Sequence, residues 1–456
     1  MGPGDIDSLD GDGMKALTHA LFEQIRLLAE QNAALQARVA ELEARLDGPP
    51  KTPDNSSLPP SSGQKANRRE PKKKSRKGRP GVARVLCADP DQVRDIFAER
   101  CADCGTSVAA SDQPNIRAYD HIDLPPVKPI TTRINLHSGA CPCCGSRVAA
   151  AAPADMMPGS PFGPCIAAFV IYLHTRQMVG YARMVEVMRD VFGLVICEGA
   201  IANMMARSAK PFAEEAARIE AVVRASPVIH SDETSARVEG RTCWQWVFGS
   251  ARAVAHRIVP SRGKAVVTDF LAGRRPDVWM SDRLAAQCGH ATAHQYCLAH
   301  LLRDAQYAID AGDDVFAPGL KGLLQRACAI GRRRGDLADS TLAAHARDLD
   351  RRLDRWIGVR PTKAAGIKLQ ATIRLARANL FVFVTRRDVQ ATNNVSERAL
   401  RPSVIFRKVT NGFRSTWGAK SYADICSVIA TGLLNGRTAL AAIRDCLAGR
   451  SVLKPA

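Results

Sequence analysis

The sequence has no apolar run long enough to cross a bilayer, and no N-terminal stretch that reads as a secretory signal. A membrane protein is therefore not expected, and a cytoplasmic, reducing setting is. Acids are scarce where bases are dense: residues 51–86 hold eleven Lys and Arg against two acids. Over the whole chain 64 Lys and Arg face 45 Asp and Glu, a formal net charge of +19. That imbalance points to a polyanionic partner such as nucleic acid. The plainer alternative for the basic stretch is a solvated linker. Fourteen cysteines in a reducing setting read as metal ligands or buried thiols rather than disulfides. With 456 residues, 46% of them hydrophobic, the chain is long enough for several domains with real cores.

Three acids stand out by their settings. Asp232 follows the apolar run Val228-Ile229-His230 in "ASPVIHSDET", and Asp282 follows Val278-Trp279-Met280 in "PDVWMSDRLAAQ". Glu397 lies in "TNNVSERALRP", where a helix can begin after the Asn pair. An acid at the end of a core strand is costly to bury unless it binds a cation. Three such acids on one spot would hold two Mg²⁺ ions about 3.5–4 Å apart, with Mn²⁺ as a substitute. Asp, Asp and Glu on strand, strand and helix is the order of an RNase H-like nuclease core. Glu233 is the nearest rival, but strand alternation turns it away from Asp232. Asp269, Asp277 and Asp388 close no apolar run. Arg398 and Arg401, with Arg407 and Lys408, surround Glu397 as candidate phosphate contacts; solvated helix charges are the alternative.

The rest of the chain suggests a multidomain α+β protein. Over residues 15–47, Leu21, Leu28, Leu35 and Leu42 repeat every seven positions at d, with Ile25, Asn32, Val39 and Leu46 at a. A lone a-position Asn suits a two-stranded parallel coil, so a dimerising leucine zipper is expected in preference to a single amphipathic helix. Residues 48–86 read as a flexible basic arm in which Lys72, Lys73, Lys74, Arg76, Lys77 and Arg79 are candidate DNA contacts. In 87–150, Cys101-x-x-Cys104 and Cys141-x-x-Cys144 supply four thiolates for structural Zn²⁺. Cys143 competes with Cys144, His121 and His137 are lesser alternatives, and metal-free buried thiols remain a second reading. Residues 160–225 have the cadence of a helix-turn-helix, with Asn203 and Arg207 on its exposed face. An ordinary helical hairpin fits that region equally well. Residues 226–402 then read as the catalytic core, with a helical insertion over about 305–390, and 403–456 as a C-terminal segment. Cys297 and His300 stand in a Cys- and His-rich stretch. They read as packed side chains near the acids, with a zinc site shared with Cys288, His290 or His294 as the lesser reading.

Several stretches together carry a family resemblance: "NSSLPPSS" from Asn55, "CADCG" from Cys101, "CPCCG" from Cys141, "FGLVICEGAIANM" from Phe192, "HSDET" from His230, "CLAH" from Cys297, "NNVSERALRP" from Asn393 and "GLLNG" from Gly432. In this order they resemble the TnpC-type transposases of insertion-sequence family sixty-six, of the DDE superfamily. Where that family is expected to carry a helix-capping Ser, this chain has Cys197, a poorer cap. The resemblance implies metal-dependent cleavage at element ends and strand transfer into target DNA, by an enzyme of the bacterial cytoplasm and nucleoid. It also implies a homodimer or higher oligomer on DNA, and small accessory proteins from the same element. A structure-selective nuclease and a non-catalytic DNA-binding regulator are the competing functions.

Overall fold

The heptad leucines fall on one continuous helix, α1 (Gly11–Leu46), of 36 residues. At 1.5 Å per residue it is roughly 54 Å long. The computed structural model describes residues 10–46, 48–56, 84–153, 156 and 158–455. Leu28 and Leu35 are 61% and 65% exposed along α1, a bare apolar stripe. The side chain of Leu42, and Lys72, Lys73, Lys74, Arg76, Lys77 and Arg79 of the arm, lie outside the described residues.

The chain divides into two compact units, one of Met1–Gln64, Pro153–Tyr181 and Gly199–Ala456, the other of Lys65–Ala152 and Ala182–Glu198. The second unit holds both Cys-x-x-Cys turns and a small antiparallel pair, β1 (Ser138–Ala140) and β2 (Arg147–Ala149). No described residue between 84 and 150 is buried, and Ile130 is 94% exposed. Helices α2 (Pro164–Thr175), α3 (Tyr181–Phe192) and α4 (Glu198–Arg224) follow. The Phe-Gly stop is visible at the end of α3, where Gly193 takes a positive φ of 63°. The α4 helix runs for 27 residues. It buries Ile201, Met204, Phe212 and Ile219 along one face.

The first unit is organised by a mixed sheet of β3 (Val228–Val238), β4 (Arg241–Gly249), β5 (Val254–Val259), β6 (Val278–Ser281) and β7 (Ala293–Tyr296). Their spatial order is β5-β4-β3-β6-β7. The first three strands are antiparallel, and β6 and β7 run parallel to β3. Glu239 and Gly240, both at positive φ (51° and 76°), close the two-residue hairpin between β3 and β4. The short α5 (Lys264–Leu271) leads into β6. Trp246, Phe248, Phe270 and Trp279 form a fully buried aromatic group there, with the Phe248 and Phe270 rings stacked at 3.9 Å.

Between β7 and the Glu397 helix lies the expected helical insertion: α6 (Leu298–Asp310), α7 (Phe316–Arg333), α8 (Asp339–Gly358), α9 (Ala364–Ala376) and the single turn α10 (Val382–Thr385). Leu298, Leu301, Phe316, Leu320, Leu349, Ile373 and Phe383 form its core, continuous with Val278 and Met280 of the sheet. The insertion is therefore packed on β6 rather than appended to a loop. Buried Asp313 caps α7, its Oδ1 accepting from the N–H groups of Phe316 and Ala317 at 2.9 and 3.1 Å.

The chain closes with α11 (Asn394–Thr410), α12 (Thr416–Leu434) and α13 (Ala439–Leu447). A division at residue 402 would cut α11. The α12 helix was not visible as a distinct element in the sequence, and it covers the outer strand of the sheet. The Ser427 hydroxyl accepts from the His256 N–H at 2.8 Å, and the Thr431 hydroxyl from the Val254 N–H at 3.0 Å. Spaced four residues apart on one helix face, these hydroxyls serve alternate donors of β5. Among the described residues no single helix is long and apolar enough to cross a bilayer.

Candidate active site

Strand register positions the first two acids. His230 of β3 pairs with Met280 of parallel β6. Asp232 and Asp282 each stand two residues further on, level with each other at the carboxyl end of β6; Asp232 does not close its strand as expected, because β3 pairs with β4 on to Val238. Ligand sites in mixed and parallel sheets favour that end, where strand termini meet loops and helix ends.

The third acid arrives through a buried polar lock. Asn393, just before α11, donates its Nδ2 to the Ser231 carbonyl at 2.7 Å. Its own backbone N–H points to the Cys297 Sγ at 3.1 Å. Ser396 donates to the Asn393 Oδ1 at 2.8 Å and meets His230 Nδ1 at 2.7 Å. Asn393, Ser396 and His230 are all buried. They fix the first turn of α11 on β3, and Glu397 is the next residue. Gly249 in β4 makes room for His230, because a Cβ there would sit 2.0 Å from the ring. Burial pushes the His230 ring down to about 4, so it stays neutral in this lock.

The acids also act on one another through their charges. Burial pushes the Asp232 carboxyl up to about 8, assisted by the charges of Glu233, Asp282 and Glu397. Glu397 Oε1 is buried with no hydrogen-bond partner among the described residues. Glu233 is otherwise engaged. Its side chain is 1% exposed, pairs with Arg262 at 2.7 Å and accepts from Gln287 Nε2 at 2.7 Å. Of the adjacent acids, only Asp232 lacks a cationic partner among the described residues.

The Cys297-x-x-His300 pair packs beside this group, near the acids as expected. One ligand atom each from Cys297, His300 and Glu397 lies within 4.8 Å of the others. The alternative partners are occupied elsewhere: His290 faces the Ala286 carbonyl, His294 the Ser281 hydroxyl and Cys288 the Tyr296 hydroxyl. The signal was present in the sequence, since β7 delivers Cys297 to the same sheet end as Asp282.

Arg398 and Arg401 are exposed on α11 and form no ion pair among the described residues. Arg407 differs from expectation: it is tied to Ser235 of β3 and serves as a fold contact. Asn203 and Arg207 are exposed, and Arg207 donates to Ser160 at 3.2 Å.

The two Cys turns share one backbone shape. Cys101 N–H bonds to the Thr106 carbonyl at 2.9 Å and Cys141 N–H to the Ser146 carbonyl at 2.8 Å. Gly105 and Gly145 both take a φ of 72°. The Cys104 thiol is lowered chiefly by Thr106, and the Cys144 thiol chiefly by Ser146, each with help from its partner cysteine. Cys144, not Cys143, thus matches Cys104. The thiols are gathered only in pairs; no three of the four lie within 4.8 Å.

No curated protein matches the chain. A profile described as Transposase IS66 family does, over residues 159–421, a span that contains the sheet, all three acids and the helical insertion. With more than half of its length matched, the chain belongs to the IS66 transposase family.

Proposed function

We propose that this protein is a DNA transposase of the DDE type, and that Asp232, Asp282 and Glu397 are its catalytic acids. Family membership implies a nucleic-acid-processing enzyme. The observation that carries the finer reading is the raised Asp232 carboxyl beside two further acids, with a buried Glu397 oxygen lacking any donor. Such a cluster is unfavourable without a cation and suits a hard divalent one. The sheet order β5-β4-β3-β6-β7, with Asp232 within β3 and Asp282 just past the neighbouring parallel β6, supports the RNase H-like assignment.

Mg²⁺ or Mn²⁺ would be held by Asp232, Asp282 and Glu397, and when bound would activate the attacking oxygen and stabilise the leaving one. The chain itself supplies position. The Asn393–Ser396–His230 lock holds Glu397 against β3, and Arg262 neutralises Glu233 so that it does not compete. Arg398 and Arg401, exposed on α11, would bind backbone phosphates. The same acids would serve cleavage at an element end and its joining to target DNA.

The pair of matched Cys turns suits one structural Zn²⁺ on Cys101, Cys104, Cys141 and Cys144, with the two turns drawn together on binding. The exposed stripe of α1, with Asn32 among its leucines, suits a second copy of the chain and hence a dimer.

The test is cleavage and strand transfer on DNA carrying the element's ends, with Mg²⁺ and with chelator. Wild type is expected to be active only with the cation. Glu397→Gln and Asp282→Asn should lose at least about 10³-fold while still binding DNA. A folded Glu397→Gln with wild-type strand transfer overturns the assignment. Metal-dependent cutting without joining would favour the nuclease alternative.

A further inference from the structure

The α6 helix carries polar groups away from the acids along one face. His300, Arg303, Gln306 and Asp310 follow at helical spacing, over roughly 15 Å of rise. At the far end, a turn from the N-terminal segment is docked. Asn55 is 4% exposed; its Nδ2 donates to the Asp310 Oδ2 at 2.9 Å and its Oδ1 accepts from the Thr52 N–H at 2.7 Å. Asp310 also accepts from Gln306 at 2.6 Å, and Gln306 in turn accepts from Lys321 of α7. The buried Asn of the "NSSLPPSS" stretch is therefore a latch across 255 positions of sequence.

Between latch and helices lies a cavity of about 550 Å³, walled by Thr52, Asp54, Arg303, Gln306, Lys321 and Gln325, with Leu302 and Asp310. Its carboxylates differ in availability: Asp310 has both oxygens engaged, and Asp54 is exposed at the rim. Arg303 Nε is buried without an acceptor, and the guanidinium forms no ion pair among the described residues. A desolvated donor on a permanent cation is costly to leave unmet. The volume lies in the range of ligand pockets, enough for a phosphate with its sugar.

We propose that this cavity binds a backbone phosphate of the DNA strand that enters the active site, held by Arg303 and Lys321, and that the Thr52–Ser56 turn is its outer wall. The proposal rests on the DNA-processing reading above. Arg303 is one helical turn from His300, so the strand passes from the acid cluster along α6 toward the root of the basic arm. The latch thereby fixes the arm's starting point on the same chain's catalytic unit.

The test is binding of a short single-stranded DNA oligonucleotide to the full chain in chelator, by fluorescence anisotropy over a range of salt. Loss of one phosphate contact lowers the slope of log affinity against log salt by about 0.7. Arg303→Gln is expected to do this with a several-fold loss of affinity, Arg303→Lys to keep the slope, and Asn55→Ala to shift it in the same direction as Arg303→Gln. Arg377→Gln, whose side chain is already paired with Asp354, is the control and should leave the slope alone. If Arg303→Gln does not fold, Lys321→Gln carries the same expectation. A folded variant of either residue with the wild-type slope overturns the proposal. Because binding is read without metal, a wild type that binds this way but cleaves nothing once Mg²⁺ is supplied would sink the catalytic assignment alone.

Discussion

The sheet acids and the paired thiols pose opposite problems. Around Asp232 the fold comes first: strand register, a polar lock and a buried core bring like charges together against their repulsion. Around Cys101 and Cys141 no described residue between 84 and 150 is buried to do such work, and there are two local turns of matching shape. In the first region structure creates the site. In the second, a metal cross-link is what would create the structure.

Metal removal should separate the two regions most sharply. A strong chelator, or Cys101→Ser, is expected to release about one zinc per chain and expose residues 84–152 to proteolysis, with the thermal transition of the sheet unit kept. Zinc-free wild-type protein with the same protease pattern would break the contrast.

A smaller effect with a definite sign concerns Asp232. Its folded value of about 8 lies above the ordinary carboxylate value. Ionisation is therefore opposed by the fold, and stability is lost as pH rises from about 4 to 8. Asp232→Asn removes that cost. In chelator it should be more stable than wild type at pH 8 by on the order of 2 kcal/mol, with the gap closing only near pH 4. Mg²⁺ should raise the wild-type midpoint and leave Asp232→Asn nearly unmoved. Equal midpoints at pH 8 without metal would count against a strained cluster.

Acid should act on the same unit through its buried histidines. His230, His256 and His294 are each pushed down to about 4 by burial. Their neutral forms favour the fold fully above about pH 6.5, and that contribution is lost as pH falls toward 4. Denaturant midpoints measured from pH 7 to pH 4.5 should fall steeply for the sheet unit. A flat profile would mean that these rings are protonated in place.

The smallest expected effect lies in α1. Leu28 and Leu35 are exposed, so replacing both by Ser should leave the monomer's stability almost unchanged and shift sedimentation toward monomer at micromolar concentration. An unchanged mass would remove the zipper.

The two regions also differ in how much the sequence disclosed. The apolar runs that open β3 and form β6 were legible before Asp232 and Asp282, but the continuation of β3 past Asp232 to Val238 was not. Asn393, Ser396 and His230 were not, because hydrogen bonds across 162 and 166 positions leave no periodic trace. Arg407 looked like a phosphate contact because charge alone does not reveal a local acceptor such as Ser235. The choice between Cys144 and Cys143 needed the backbone turn. The α12 helix was obscured by its own burial, since Ala, Ser, Thr and Gly on a covered helix give a weak amphipathic signal.

That helix sets the physical extent of the sheet unit. An outermost strand with open N–H groups invites another strand to add to it. Here the Ser427 and Thr431 hydroxyls occupy those donors. Both residues lie beyond position 421, where the family match ends. A fragment trimmed to that match would keep every acid yet leave β5 open to self-association. An expression fragment meant to stay dispersed must run at least through Leu434.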